Sequence, residues 1–433
     1  MREIPASVGQ RLLSLMDHYR GQESTLNEQI LWRIPASCDV ETLTGAVAAL
    51  CERHEALRTT FRSRGPRFTQ IVHPPAPIVL HRFDTSAAAD PVAAAREILG
   101  QEIRTPIGAD SAVRASLIEL GGQRRLFALT MHHLVTDDWS NALLSRDIRA
   151  LCNGGVLPPV QWQYADWSQW QQGALDTSRD RLIDYWQDKL AGASLPALPA
   201  AADTVRGDGE PPWVSAEYPV DADVTRALRR LARKHRTTLF PVVLAIFYVL
   251  LGRHTGQSDL TVATLLANRG RPEVRDTVGF FISMVLLRCQ LDVSAPFAEL
   301  VSRARSTVMD AMRHQDLPYQ LLSPGTVAGY GRADDVVFQL LGSFLTRDDM
   351  EGEELDDMDA QLERRRFALE FVLVPRGEGL TALLMCDRDR FDHRWAERFV
   401  RDYAALAGAV AGDPELTPHT LLTRPTSGQG TRG

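Results

Sequence analysis

The segment at residues 131–140, MHHLVTDDWS, constrains the fold of this chain more than any other stretch. The apolar run at residues 126–131 before the histidines is typical of a buried strand. Asp137 and Asp138 then precede an apolar-periodic run, and carboxylates are favoured at the start of a helix. The pattern therefore predicts a strand that delivers two adjacent histidines to the beginning of a helix.

The two histidines cannot share one role if the strand stays extended, because successive side chains then point to opposite faces. One of His132 and His133 would face the core and the other a cleft. From these residues alone, a structural pair and a catalytic histidine both stay open. A metal site needs more ligands at short spacing than His133 and Asp137 supply, so we expect no metal here.

Composition places the chain among ordinary globular proteins. With 433 residues, 44% hydrophobic and 24% charged, it is long enough for two domains. A net charge of −7 argues against nucleic acid as a partner. The apolar run at residues 239–251 contains Pro241 and is too short to span a bilayer, so we expect no membrane partner. Five scattered cysteines without a CxxC pair, and no signal peptide, predict a cytoplasmic protein.

Helical and strand patterns alternate in both halves of the chain, which predicts the α/β class. Two strands at 112–120 and 125–133 flank Gly121-Gly122 and predict a hairpin. A segment rich in Ala, Pro, Gly and Asp at residues 191–212 is typical of a linker, and the last residues are typical of a disordered tail. The predicted boundaries are, in order: an N-terminal part at 1–190, a linker at 191–212, a C-terminal part at 213–423 and a tail at 424–433.

Seven segments in the same order resemble the motifs of one protein family. They are SVGQRL at 7–12, RHEALRTTF at 53–61, HHLVTD at 132–137, YADWSQW at 164–170, TGQSD at 255–259, VGFF at 278–281 and HQDLPY at 314–319. Together they resemble the condensation domains of nonribosomal peptide synthesis, within the chloramphenicol-acetyltransferase-like superfamily. The resemblance implies two α/β lobes in a V-shaped arrangement, with the HHxxxD motif in the first lobe and a tunnel between the lobes. The domain is then expected to be free-standing.

The resemblance also implies an acyltransferase that forms an amide or an ester bond. The donor would be an acyl or aminoacyl thioester on the phosphopantetheine of a peptidyl carrier protein that arrives in trans. The acceptor would be a small or carrier-bound amine or alcohol, in a nonribosomal peptide or hybrid pathway. Free-standing relatives often use a soluble amine or alcohol as acceptor, including in enediyne antibiotic pathways. No cofactor of the domain itself is expected.

By the same resemblance, His133 is the catalytic residue, acting as general base or by positioning the nucleophile. His132 is expected to be structural. Asp137 resembles a structural aspartate that forms a salt bridge to an arginine, and Arg58 and Arg269 are the two candidates. A buried carboxylate that loses such a partner costs about 3–5 kcal/mol.

Further residues are expected to line the substrate tunnel. These candidates are Asp138, Trp139, Ser140, Tyr164, Ser283, Met284 and His314. Packing is the alternative role for Trp139 and Tyr164, and helix capping for His314. Ser283 and Met284 replace an Asn-Thr pair usual in the family, which leaves the acceptor's identity open.

Asp138 stands where a glycine normally follows the motif aspartate, and three interpretations are open. In the first, Asp138 is a helix N-cap. In the second, its side chain narrows the tunnel and its charge raises the pKa of His133. In the third, it alters catalysis, because a glycine at this position permits close approach of the backbone to a substrate.

Two other functions compete with condensation. One is a coenzyme A-dependent acyltransferase of the same fold. The other is a non-catalytic domain that recruits a carrier or a tailoring enzyme, and it predicts binding that is indifferent to His133→Ala.

Overall fold

The chain packs into two units. The first contains Met1–Ser178 and Ala267–Ile282, and the second contains Arg179–Leu266 and the described residues from Ser283 onward. The expected tail at 424–433 and more than half of the expected linker lie outside the described residues. The computed structural model describes residues 1–20, 26–35, 37–65, 67–107, 111–199, 212–322, 335–342 and 367–423.

The first unit contains a three-stranded sheet in the order β1-β4-β3 and a four-stranded sheet in the order β2-β7-β6-β5. Its elements are β1 (Arg2–Pro5), α1 (Val8–Arg20), β2 (Asn27–Ile34), α2 (Val40–Arg53), β3 (Thr59–Arg64), β4 (Arg67–Val72), β5 (Leu80–Asp84), α3 (Pro91–Arg104), β6 (Val113–Gly121), β7 (Arg124–His132), α4 (Asp138–Cys152) and, as far as Ser178, α5 (Tyr164–Leu190).

The predicted hairpin is confirmed. β6 and β7 pair antiparallel, and Gly121 and Gly122 adopt the positive φ values that this turn requires. On its other edge β7 pairs antiparallel with β2, in a register that places Asn27 opposite His132. This pairing brings the start of β2 beside the histidine motif.

Both faces of the four-stranded sheet are buried, because its strands alternate between two apolar clusters. Trp32 and Phe127 face α2 and α4, whereas Leu31 and Leu126 face α3. Asp39 caps α2, since its carboxylate accepts a hydrogen bond from Thr42 N at 2.8 Å.

The second unit is built on a six-stranded sheet in the order β10-β9-β11-β12-β13-β8. Helix α7 lies in its core and is buried from Pro241 to Gly252, which explains its nearly uninterrupted apolar sequence. The elements are β8 (Trp213–Val220), α6 (Ala222–Lys234), α7 (Leu239–Thr255), β9 (Asp259–Leu266), β10 (Ser283–Gln290), α8 (Phe297–Arg313), β11 (Val336–Leu340), β12 (Leu369–Arg376), β13 (Gly379–Asp387), α9 (His393–Gly412) and α10 (Pro418–Thr423).

In the described part of the chain, no single helix has the length and apolar content to cross a membrane. Helices α6 and α7 have that length and apolar content only when they are taken together, and the chain bends by 111° between them.

The division into units departs from the predicted boundaries in two places. The first unit ends at Ser178, inside helix α5, and it includes Ala267–Ile282 from the second half of the sequence. The predicted boundaries assume that each unit is one continuous segment of the sequence. Residues 267–282 instead belong to the first unit, in which Arg269 forms a buried ion pair with Asp137.

Candidate functional site

The strand that carries the histidines ends at His132, and His133 begins a 3-10 helix, His133–Val135. Strand alternation therefore does not set the directions of the two side chains. His132 Nδ1 accepts a hydrogen bond from Leu134 N at 3.1 Å, so His132 shapes the turn. His133 is anchored through its backbone N–H, which donates to Leu26 O at 2.7 Å.

The imidazole of His133 is buried, with 4% of its side chain exposed. Its Nδ1 lies 3.1 Å from Oε1 of Glu28, a residue of β2. The edge of the Phe280 ring packs against it, with 4.9 Å between ring centroids. An imidazole with one nitrogen beside a carboxylate is suited to proton transfer at the other nitrogen.

Glu28 was not among the predicted site residues. Glu28 stands in the polar start of β2, between Asn27 and Gln29, and its partner depends on the pairing of β2 with β7.

Asp137 is held by donors from three parts of the chain. Its Oδ1 accepts from Ser140 N at 2.7 Å and from Arg269 Nη2 at 3.0 Å, and its Oδ2 accepts from Phe281 N at 3.0 Å. The Asp137 and Arg269 side chains are only 3% and 2% exposed. A buried ion pair is stable only when further hydrogen bonds satisfy its ions, and the carboxylate of Asp137 meets that condition with its three donors.

Of the two arginine candidates, the structure assigns Arg269 to Asp137. Its Nη1 also donates to Val274 O at 2.9 Å and Thr277 O at 2.6 Å, so one guanidinium connects segment 267–282 to the histidine loop. Burial lowers the pKa of Arg269, and the charge of Asp137 opposes that shift.

The structure does not bring Arg58 to the site. Its guanidinium donates to the backbone carbonyls of Cys51 and His73 and lies 3.5 Å from Glu55. All three partners lie close to Arg58 in the sequence. Their contacts keep the Arg58 side chain near β3 and β4.

The N-cap interpretation of Asp138 is wrong. Asp137 is the N-cap of α4, because its carboxylate accepts from Ser140 N, and Asp138 is the first helical residue with an exposed side chain. The neighbouring Trp139 is partly buried, and its indole N–H donates to Arg275 O at 3.0 Å.

Ser140 and Tyr164 are locked by packing and hydrogen bonds in the first unit. Ser140 Oγ donates to Gly279 O at 2.8 Å and accepts from Arg269 at 2.8 Å. Tyr164 is buried, which raises the pKa of its hydroxyl; the hydroxyl lies 2.8 Å from Ser7 Oγ. A Cβ on Gly279 would lie 2.0 Å from the Tyr164 ring, so glycine permits this close approach.

Ser283, Met284 and His314 have partners within the second unit. Ser283 Oγ donates to Gln315 O at 2.6 Å, and Met284 is buried. His314 is the C-cap of α8, and its ring stacks on Tyr185 with 3.4 Å between centroids. The structure thus gives His314 the capping role that was one of its two expected roles. Within the described residues, no group of three or more His, Cys, Asp or Glu side chains could hold a metal ion.

Comparisons with known proteins identify the family and the fold of the chain. The family model described as "Condensation domain" matches residues 1–429. Phosphinothricin tripeptide synthetase PhsC of Streptomyces viridochromogenes is 31% identical over 97% of this chain and 40% of its own length. Chondramide synthase cmdD of Chondromyces crocatus is 28% identical over 95% of this chain and 11% of its own length. The chain thus spans less than half of these relatives.

Solved structures share the fold over nearly the whole chain. The X-domain from teicoplanin biosynthesis has a TM-score of 0.80 and 22% identity, covering 96% of this chain and 97% of that one. The condensation domain of the monacolin K polyketide synthase MokA has a TM-score of 0.78 and 21% identity, covering 96% and 99%. SgcC5 of Streptomyces globisporus has a TM-score of 0.74 and 25% identity, covering 95% and 100%.

Proposed function

The chain belongs to the condensation domain family, and on that premise we propose that it transfers an acyl or aminoacyl group from a carrier-protein thioester to an amine or alcohol. Members of this family are in general amide-bond-forming acyltransferases of nonribosomal peptide and related biosynthesis. They work with carrier-protein domains and need no cofactor of their own. For this chain, the carrier would bind in trans.

One observation supports the proposal most directly. His133 lies on a loop whose backbone is fixed by the buried Asp137–Arg269 pair, and a carboxylate lies 3.1 Å from its Nδ1. A general base must be held in place before it can accept a proton from a bound nucleophile. The contacts of His133 and Asp137 support His133 in that role.

The proposed chemistry at His133 uses its Nε2. The acceptor N–H or O–H gives its proton to Nε2 while its nitrogen or oxygen forms a bond to the thioester carbonyl carbon. The carbon–sulfur bond then breaks, and the proton passes from the imidazolium to the departing phosphopantetheine sulfur. The products are an amide or an ester and a free thiol.

The range of acceptors is proposed from a neighbour. SgcC5, at 25% identity, was solved in complex with (R)-(-)-1-(2-naphthyl)-1,2-ethanediol, which carries two hydroxyl groups. We therefore include alcohols beside amines as acceptors for this chain.

The test uses purified protein with a panel of acyl and aminoacyl carrier thioesters, each offered with amine and alcohol acceptors, and intact-mass detection of product and carrier. His133→Ala should lower turnover by about 10²- to 10⁴-fold, the usual contribution of a general base. His393→Ala is the matched control, because that side chain is 64% exposed and lies in the second unit. Transfer from acyl-coenzyme A with none from carrier thioesters would favour the coenzyme A-dependent alternative and reject the carrier donor.

A second candidate is a domain that binds a partner without turnover. The teicoplanin X-domain, which shares the fold, was also solved in complex with OxyB. Asp138 in the position of the family's usual glycine is the feature of this chain that favours it. This candidate predicts carrier or partner binding that is unchanged in His133→Ala, with no product from any donor.

A further inference from the structure

Glu28 reaches His133 because of strand register. β2 pairs with β7 so that Asn27 lies opposite His132 and Glu28 opposite Met131. Alternation along β2 puts Glu28 on the same sheet face as Trp32, which packs in the cluster below α2 and α4. Its carboxylate is therefore inside the unit, next to the loop that follows β7.

One oxygen of the Glu28 carboxylate accepts a hydrogen bond, and the other lies close to the His133 ring without meeting hydrogen-bond geometry. Oε1 lies 3.1 Å from His133 Nδ1, and Oε2 accepts from Asn141 Nδ2 at 3.0 Å. Asn141 is fixed in turn, since its Oδ1 accepts from Thr136 Oγ1 at 2.5 Å. Only 11% of the Glu28 side chain is exposed. A carboxylate buried to this degree is costly unless its oxygens have polar partners.

We propose that Glu28 is the positioning residue of the site, and that its carboxylate holds the His133 ring in the tautomer with hydrogen on Nδ1. The inference rests on the proposed function of His133. A neutral imidazole carries its proton on one nitrogen only, so a hydrogen bond from Nδ1 leaves Nε2 as the base. When Nε2 accepts a proton, the negative charge of Glu28 stabilises the imidazolium.

Asp137 cannot take this role, although it lies in the same motif. Its Oδ1 accepts from Ser140 N and Arg269, and its Oδ2 accepts from Phe281 N. The motif aspartate thus fixes the backbone, and a glutamate from another strand faces the ring. Contacts of this kind in free enzymes often tighten only when substrate binds.

The kinetic test compares Glu28→Gln and Glu28→Met with wild type in the carrier-thioester assay. Glu28→Met should lower kcat by about 10- to 100-fold, by analogy with the loss of a partner that orients a metal-bound histidine. KM for donor and acceptor should change less than about 2-fold, since Glu28 acts through His133. Glu28→Gln should lie between, because an amide oxygen still accepts from Nδ1–H. Glu119→Gln, in the same sheet and paired to Arg82 at 2.8 Å, is the matched control.

A second readout does not depend on turnover. ¹⁵N NMR of the histidine rings, with the His133 signals assigned by their loss in His133→Asn, reports which nitrogen carries hydrogen. Wild type should show hydrogen on Nδ1, and Glu28→Met should shift the population toward hydrogen on Nε2. If Glu28→Met does not fold, the inference is tested by the tautomer of His133 in wild type and by the kcat of Glu28→Gln.

Hydrogen on Nε2 in wild type would overturn the inference. So would a Glu28→Met variant with unchanged kcat and unchanged tautomer. If instead His133→Ala keeps full turnover, the proposed function fails, and the NMR result still decides whether Glu28 orients the ring.

Discussion

Two buried aspartates of the first unit, ten positions apart in the sequence, have different partners. Asp137 binds Arg269 and two backbone N–H groups, those of Ser140 and Phe281. Asp147, within α4, binds only side chains: its Oδ2 lies 2.9 Å from Arg53 Nε and from His54 Nε2.

The two aspartates show that a buried charge can have two different structural roles. Asp147, with a third partner in Arg146 at 2.8 Å, joins α4 to the end of α2 and fixes how two helices pack. Asp137 fixes the path of the backbone beside His133. Both should contribute strongly to stability, but only Asp137 should affect the activity of molecules that remain folded.

The comparison is tested first by Asp137→Ala and Asp147→Ala. Each leaves a buried arginine without its carboxylate, so each should lower the free energy of unfolding by about 3–5 kcal/mol. Turnover per folded molecule should fall in Asp137→Ala and stay near wild type in Asp147→Ala. The measurements are denaturant unfolding and turnover normalised to the folded fraction. A soluble Asp137→Ala with normal unfolding but no activity would contradict the structural role.

Gly279→Ala probes the packing around the Asp137 cluster. The new Cβ would lie 2.0 Å from the Tyr164 ring, and such overpacking costs about 1–3 kcal/mol. Gly270→Ala is the control in the same segment, because nothing lies within 4 Å of a Cβ there. Equal melting temperatures for the two variants would show that Tyr164 moves aside freely.

Acid should weaken the Asp147 cluster in two steps. Burial lowers the pKa of His54 below 6.5, so the unfolded chain takes up that proton first and stability falls as pH drops below 6.5. Burial alone would raise the pKa of Asp147, but hydrogen bonds from His54 and Arg146 lower it from 3.8 to about 2. The stability from Asp147 is therefore complete above pH 3.8 and lost as pH falls toward 2.

The second step should be on the order of 2 kcal/mol, from the size of the pKa shift. It is measured as the difference in unfolding free energy between wild type and Asp147→Asn across this pH range. A difference that is constant from pH 7 to pH 2 would rule out titration of Asp147 as its source.

Asp138→Gly should have the smallest effect on stability. Its exposed carboxylate at the first position of α4 interacts with the helix dipole, worth about 0.3–1 kcal/mol. If Asp138 instead narrows the substrate tunnel, as one sequence interpretation holds, the variant changes donor preference in the carrier assay. No change in rate or preference would reject that interpretation.

Sequence alone predicted the features that depend on near neighbours. The hairpin across Gly121-Gly122 follows from turn chemistry within a few residues. The resemblance added an ordered set of motifs, and the family match over residues 1–429 confirmed it.

The tertiary structure alone decided which distant groups meet. It selected Arg269 over Arg58 for Asp137, across 132 residues of chain, and it placed Glu28 beside His133. Hydrophobic periodicity and capping residues predict local secondary structure. Ion pairs between distant segments depend instead on strand register and on how the segments pack. That is why His133 could be named from its motif, while the carboxylate that faces its ring could not.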